Sequence, residues 1–196
     1  MKYPQFWLKA SPRRKRGYSI FAVFILSLMV TLIGALVPVS PETAQIISNQ
    51  LNQTVTEGQA QGTLNLDIFV NNFSLCLLMF IPIAGFFIGM FILFSTGQAF
   101  RAVFAVQMAS GAATATPDVS IATTTIVLVL IGVAAVFLLE FITYAIGMTE
   151  SLWMFRRILQ NKWKRELKWF IIFIGIAALL LVIGAIVETA TISLQL

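Results

Sequence analysis

Two carboxylates interrupt apolar runs in the second half of this chain. Glu140 lies inside VLVLIGVAAVFLLEFITYAIG and Glu188 inside IIFIGIAALLLVIGAIVETA. A carboxylate is costly in hydrocarbon, so such a side chain faces another helix, a cavity or the interface, where it accepts hydrogen bonds or takes up a proton or cation. Glu188 is close to the end of its run, which favours an interfacial carboxylate.

Small and polar residues continue from Glu140 along one face of the predicted helix. Thr143, Tyr144, Gly147 and Ser151 follow Glu140 at +3, +4, +7 and +11, and this spacing places them on the same side. The stripe is typical of a helix interface tied by hydrogen bonds. A proton or ion path, or a groove that contacts a partner, is the alternative.

The chain has few other residues that could support catalysis or metal binding. The chain has no histidine and a single cysteine, Cys76, so it lacks the commonest general base and metal ligand and can form no intrachain disulfide. We therefore expect a non-enzymatic protein without cofactor or metal. An intramembrane enzyme would need a carboxylate pair, for which Glu140 with Glu188 or Glu150 is the only candidate.

Composition indicates a membrane protein. The chain of 196 residues is 59% hydrophobic and 11% charged, with a mean hydropathy of +0.91, which a soluble globular surface does not show. We predict an all-α polytopic helix bundle in the cell membrane, forming a single membrane domain over residues 19–196. The net charge of +5 comes mainly from two basic clusters that suit anionic lipid better than nucleic acid.

The apolar runs predict about five transmembrane helices, with four or six left open. The predicted spans lie near residues 19–39, 69–94, 98–113, 121–147 and 169–190. The basic segment 1–18 and a basic connector, 153–168, are then cytoplasmic, and the polar loop 40–67 is external. The weakly hydrophobic 98–113 is included because it brings the connector to the cytoplasmic side, with Arg101 at the cytoplasmic boundary. A re-entrant or surface helix is its alternative.

Pro82 interrupts the second apolar run, because proline removes an amide donor and clashes with the preceding turn. The sequence predicts a kink there, or a break into two half-helices if protein or water covers the open backbone. Gly85 and Gly89 form a G-x-x-x-G step that would let another helix approach closely.

The connector carries many cations among tryptophans. Trp153, Trp163 and Trp169 lie within or next to it, as in an interfacial helix whose indoles sit at headgroup level. We predict that this connector faces lipid, and a protein-docking site is the alternative. Its basic residues are Arg156, Arg157, Lys162, Lys164, Arg165 and Lys168.

The ordered set of motifs resembles the stage II sporulation protein M family of integral membrane proteins. The resemblance rests on IFVNNF, the segment around Gly97, LLEFITYAIG, the basic connector and the terminal IGAIVET. The polar residues of this chain that match the family's motifs are Asn71, Asn72, Glu140 and Glu188. Where family members often have His-Gly before the internal glutamate, this chain has Phe137-Leu138-Leu139. The resemblance implies a membrane scaffold that works alongside partners which remodel peptidoglycan.

Two functions follow from these patterns. The first is a non-enzymatic scaffold or assembly factor that organises other membrane or envelope proteins. The second is the permease-like membrane subunit of a transporter with a polar path around Glu140, and whether a separate ATPase drives it is left open. The lipid bilayer is an expected partner, nucleic acid is not, and homo-oligomerisation is left open. We predict a buried polar seam made of Asn71, Asn72, Glu140, Thr143, Tyr144 and Glu188.

Overall fold

The computed structural model describes residues 9–110 and 119–194. The predicted all-α class is confirmed over this part of the chain, which contains helices and no strand. Six helices are described: α1 (Pro12–Leu36), α2 (Pro41–Gln61), α3 (Leu64–Met79), α4 (Ala84–Ala109), α5 (Val119–Leu159) and α6 (Trp163–Ser193).

Local sequence signals set several of the helix ends. Ser11 and Ser40 are the N-caps of α1 and α2, and each side chain accepts a hydrogen bond from a backbone N–H of the first turn. A proline follows each serine, at the position where its missing N–H costs nothing. Gly62 ends α2 with a φ of 67°, a left-handed conformation that favours glycine.

Within the described part of the chain, four helices are long and apolar enough to cross a membrane. They are α1, α4, the part of α5 from Val127 to Leu159, and α6. Large apolar side chains stand exposed on α1 and α4, including Leu36, Phe87 and Phe91 at 72%, 65% and 71%. Exposed apolar surface on this scale marks contact with lipid or protein. These features are compatible with a multi-pass membrane protein.

Contacts around residue 150 fix the directions of the helices. Ile81, just after α3, and Ile83, just before α4, both hydrogen bond to Ser151 of α5, and Arg16 at the start of α1 pairs with Glu150. The α5–α6 turn lies at the same end, which we call the basic end. Helices α1, α4 and α6 therefore run away from the basic end, while α3 and α5 run towards it.

Helix α1 crosses α4 with backbones in close approach. A Cβ built at Gly97 would lie 2.8 Å from the Ala35 nitrogen and 3.0 Å from the Gly34 Cα. A Cβ at Gly34 would overlap the carbonyl oxygen of Phe94. Glycine at both positions lets the helices pack through their main chains. The buried core of the bundle includes Cys76, Met79, Phe80, Leu93, Phe141, Tyr144, Met148 and Leu181.

The helix boundaries differ from the predicted spans in the middle of the chain. The stretch 69–94 is divided between α3 and α4, and 98–109 continues α4 without interruption, because no proline breaks the helix between Ala84 and Ala109. Residues 111–113 of that predicted span, and 1–8 of the basic segment, lie outside the described residues. The loop 40–67 contains α2 and the start of α3.

The basic connector and Arg101 also differ from the prediction. Residues 153–168 do not form a separate helix: α5 continues to Leu159 and α6 begins at Trp163. Phe100 packs against Phe137 with ring centroids 5.0 Å apart, and Phe137 is roughly 20 Å of helix from Glu150. Arg101 therefore lies away from the basic end.

Candidate functional site

A cavity of about 350 Å³ lies between α3, α4, α5 and α6, and its lining combines apolar side chains with seven polar ones. Its polar lining is formed by Asn71, Asn72, Thr96, Glu140, Tyr144, Glu188 and Thr191. The cavity thus brings together every member of the predicted seam except Thr143. Glu140 is roughly 16 Å of helix from Ser151, which puts the cavity well away from the basic end.

A chain of two amide hydrogen bonds links α3 to α5 inside this cavity. The Asn71 Nδ2 donates to the Asn72 Oδ1 at 3.2 Å, and the Asn72 Nδ2 donates to the Glu140 Oε1. A buried carboxylate needs such donors, because an unpaired one keeps its full desolvation penalty. Asn72 and Glu140 therefore form a polar tie between two helices that run side by side.

Glu188 completes the cavity from α6 in a different way. Its side chain lines the same space as Glu140, and no hydrogen bond joins it to the described residues. Thr191, one turn further on, gives its hydroxyl proton to the Val187 carbonyl at 2.7 Å. The cavity thus has one carboxylate tied to an amide and a second one available to a proton, a cation or water.

Thr143 is buried on α5 but does not line the cavity. Its Oγ1 donates to the Leu139 carbonyl at 2.7 Å, the usual local partner of a threonine within a helix. The helical spacing predicts that Thr143 lies on the Glu140 face. In the bundle, its side chain instead packs in the protein interior, outside the cavity. Its hydroxyl therefore bonds within its own helix and takes no part in the contact between Asn72 and Glu140.

A second polar cluster lies at the basic end. Arg16 of α1 bridges two carboxylates: its Nε is 2.9 Å from the Glu150 Oε1, and its Nη2 contacts the Glu166 Oε1. The Arg157 Nε donates to the Glu166 Oε2 at 3.1 Å. We call these four residues the Arg16 cluster. It joins the start of α1 to both arms of the α5–α6 hairpin.

The cluster is largely shielded from solvent. The Glu150 side chain is 0% exposed and Arg16 is 13% exposed. The contact of Arg16 with Glu150 is within ion-pair distance but is not a hydrogen bond, since neither Glu150 oxygen has a hydrogen-bond partner among the described residues. The guanidinium carbons of Arg16 and Arg157 lie 5.2 Å and 5.9 Å from the centroid of the Trp153 ring. Cation–π contacts of this kind strengthen when water is excluded.

The basic residues of the predicted lipid-facing connector differ in exposure and in their partners. Arg157 is half-buried and engaged in an ion pair, whereas Arg156, Lys162, Lys164 and Lys168 are exposed. Arg165 is also exposed but lines a cavity beside Arg16. Sequence reasoning missed Arg16 and Glu166 altogether. The available signal was Glu150, Trp153 and Arg157 at helical spacing, which puts an acid, an indole and a cation on one face.

The break between α3 and α4 is held by α5. The Ser151 Oγ donates to the Ile81 carbonyl at 2.7 Å, and the Ile83 N–H donates to the Ser151 carbonyl at 3.4 Å. Ile83 has a φ of 58°, which is rare for a β-branched residue. Of the predicted packing glycines, Gly85 lies against the Met79 carbonyl, and Gly89 lies against Met148.

Comparison of the chain with protein-family models, curated proteins and solved structures gives no match. Function must therefore be inferred from the bundle and its two polar clusters.

Proposed function

We propose that the chain crosses the cell membrane five times, with its amino terminus and the α5–α6 turn in the cytoplasm. The four long apolar helices and the shorter apolar helix α3, of 16 residues, alternate in direction along the chain, which supports an odd number of crossings. The basic residues at the start of α1 and around the α5–α6 turn share one end, and cytoplasmic segments are enriched in Lys and Arg. The α2–α3 connection and the end of α6 are then external.

Within that bundle, we propose the function of a non-enzymatic scaffold or assembly factor, similar to the stage II sporulation protein M family. The observation that carries this proposal is the hydrogen bond from Asn72 to Glu140. It commits the intramembrane carboxylate to a neighbouring helix of the same chain, where it stabilises one arrangement of the bundle. A carboxylate used in this way supports assembly of the protein and needs no substrate.

The external face offers a surface for partners. Helix α2 is polar over most of its 21 residues and packs against α4 and α3. It nevertheless exposes two large apolar side chains, Ile46 at 52% and Leu51 at 47%. These two side chains give a partner apolar area to bury within an otherwise polar surface.

Replacement of Glu140 by glutamine tests the scaffold function. The glutamine oxygen still accepts the Asn72 hydrogen bond, so Glu140→Gln should keep the fold and recover the same partners from native membranes as the wild type. Asn72→Leu removes the donor and leaves Glu140 unpaired, so it should lower both the stability of the fold and the recovery of partners. Loss of partners in a well-folded Glu140→Gln protein would show that the charge itself is needed, which a scaffold does not require.

The polar cavity favours a second candidate, the membrane subunit of a transporter. Glu188 lines about 350 Å³ of space together with Glu140, and two carboxylates facing one cavity repel each other unless a proton or cation lies between them. Proteoliposomes with a pH-sensitive dye and an imposed membrane potential would test this function. Flux that disappears in Glu140→Gln or Glu188→Gln supports transport. Absence of flux from the wild-type chain, both alone and reconstituted with any ATPase that co-purifies with it, contradicts transport.

A further inference from the structure

A cavity of about 690 Å³ lies at the basic end, between the start of α1 and the α5–α6 hairpin. Four guanidinium side chains line it: Arg13 and Arg16 from α1, Arg157 from the end of α5 and Arg165 from the start of α6. Such a concentration of arginines around one space favours an anionic ligand, because guanidinium groups pair with phosphate in a forked geometry.

Charge pairing divides these four arginines into two kinds. Arg16 and Arg157 are already paired with Glu150 and Glu166. Arg13 and Arg165 have no carboxylate within ion-pair distance among the described residues, and both side chains are exposed. The cavity therefore carries two guanidiniums in excess, at its accessible side, above a base of paired charges.

Apart from Ser11 and Glu166, whose carboxylate is paired with Arg16 and Arg157, the rest of the lining is apolar or aromatic. Ile20 of α1 and Phe173 of α6 lie further along their helices, and Trp169 stands at the rim with 40% of its surface exposed. The Arg13 guanidinium lies over the Trp169 ring, 5.7 Å from its centroid, which holds the charge at the cavity. A tryptophan beside exposed arginines is the arrangement found at the headgroup level of a membrane.

We propose that this cavity binds an anionic phospholipid, with Arg13 and Arg165 on the headgroup phosphate and the upper acyl chain against Phe173 and Ile20. A free phosphate shares the headgroup chemistry, but the apolar side of the cavity gives it nothing to contact. Ile20 and Phe173 also belong to helices long and apolar enough to cross a membrane. This site goes beyond the proposed scaffold function, because it requires only that the chain be embedded in lipid.

Native mass spectrometry of the full chain released from nanodiscs would test the site. The nanodiscs contain equal phosphatidylglycerol and phosphatidylcholine, and the double variant Arg13→Gln with Arg165→Gln is compared with Arg14→Gln with Arg156→Gln. The control pair removes the same two charges from exposed residues of α1 and α5 that do not line the cavity. Wild type and control should retain one phosphatidylglycerol per chain, and the cavity variant should retain it at least about tenfold less.

Three results would overturn the proposal. Equal losses in the two double variants would show general surface attraction, and undiminished retention in the cavity variant would place the lipid elsewhere. If inorganic phosphate displaces the lipid completely at millimolar concentration, and binds lipid-free protein through the same two arginines, the ligand is a soluble phosphate. Should the double variant fail to fold, Arg13→Gln and Arg165→Gln measured singly must each reduce retention relative to Arg14→Gln.

Discussion

The Ser151 hydroxyl of α5 donates a hydrogen bond to the carbonyl of Ile81, in the break between α3 and α4, at 2.7 Å. The Ser151 carbonyl accepts a second bond from the Ile83 N–H. Backbone polar groups released by a broken helix are costly in a membrane unless protein or water covers them. Ser151 covers two such groups, so α5 stabilises the turn that lets α3 and α4 run in opposite directions.

Ser151→Ala should destabilise the protein by about 1 to 3 kcal/mol, because the Ile81 carbonyl loses a buried donor. Ser27→Ala is the matched control: Ser27 is also fully buried, but its hydroxyl bonds only to the Val23 carbonyl of its own helix. Titration with SDS in mixed micelles measures the free energy of unfolding of both. Equal effects would mean that Ser151 does not support the break.

Gly97→Ala should destabilise the protein by about 1 to 3 kcal/mol, since the new Cβ would meet main-chain atoms of α1 that cannot move aside. Gly175 also lies within an apolar helix, but a Cβ there meets nothing within 4 Å. Gly175→Ala should raise the free energy of unfolding by about 0.5 to 1 kcal/mol. The same SDS titration compares the two, and a Gly97→Ala protein as stable as wild type would contradict the close crossing of α1 and α4.

The polar tie can be measured by a double-mutant cycle on Asn72→Ala and Glu140→Ala. We expect a coupling free energy of about 0.5 to 2 kcal/mol, the range of hydrogen bonds between membrane helices. Asn71→Ala with Glu140→Ala provides the comparison, because Asn71 reaches Glu140 only through Asn72. A coupling for Asn72 no larger than that for Asn71 would argue against the tie.

Arg16→Met should lower the free energy of unfolding by about 3 to 5 kcal/mol, because it leaves Glu150 buried without its counter-charge. Arg14→Met removes an exposed cation two residues away and should change stability by less than about 0.5 kcal/mol. Unfolding curves of the two variants at equal ionic strength give the difference. A small effect of Arg16→Met would show that Glu150 is stabilised by something other than Arg16.

Uninterrupted apolar runs made α1 and α6 predictable from sequence, and their bounds lie close to the predicted spans apart from the added basic turns. The extent of α4 was not predictable in the same way. A separate span over 98–113 was predicted because it brings the basic connector to the cytoplasmic side, although Gln98 and Gln107 make it weakly hydrophobic. The backbone of α4 instead continues to Ala109, because nothing in that stretch breaks a helix.

The two polar clusters also differ in how far the sequence predicts them. Asn72 and Glu140 each stand out as polar residues in apolar surroundings, so a common seam could be proposed without knowing the packing. Arg16 and Glu166 lie among other charged residues, where a solvated or lipid-facing role is the ordinary expectation. Only the three-dimensional arrangement of α1 against the α5–α6 hairpin brings Arg16 between Glu150 and Glu166.

Gentle purification of the tagged chain from its native membrane, with mass spectrometry of the proteins that remain bound, tests the scaffold function most directly. Wild type and Glu140→Gln should both recover the same membrane or envelope proteins in stoichiometric amounts, without a nucleotide-binding subunit. Recovery of a stoichiometric ATPase with the wild type, together with a flux that Glu140→Gln abolishes, would contradict the scaffold function. The chain would then be the membrane subunit of a transporter.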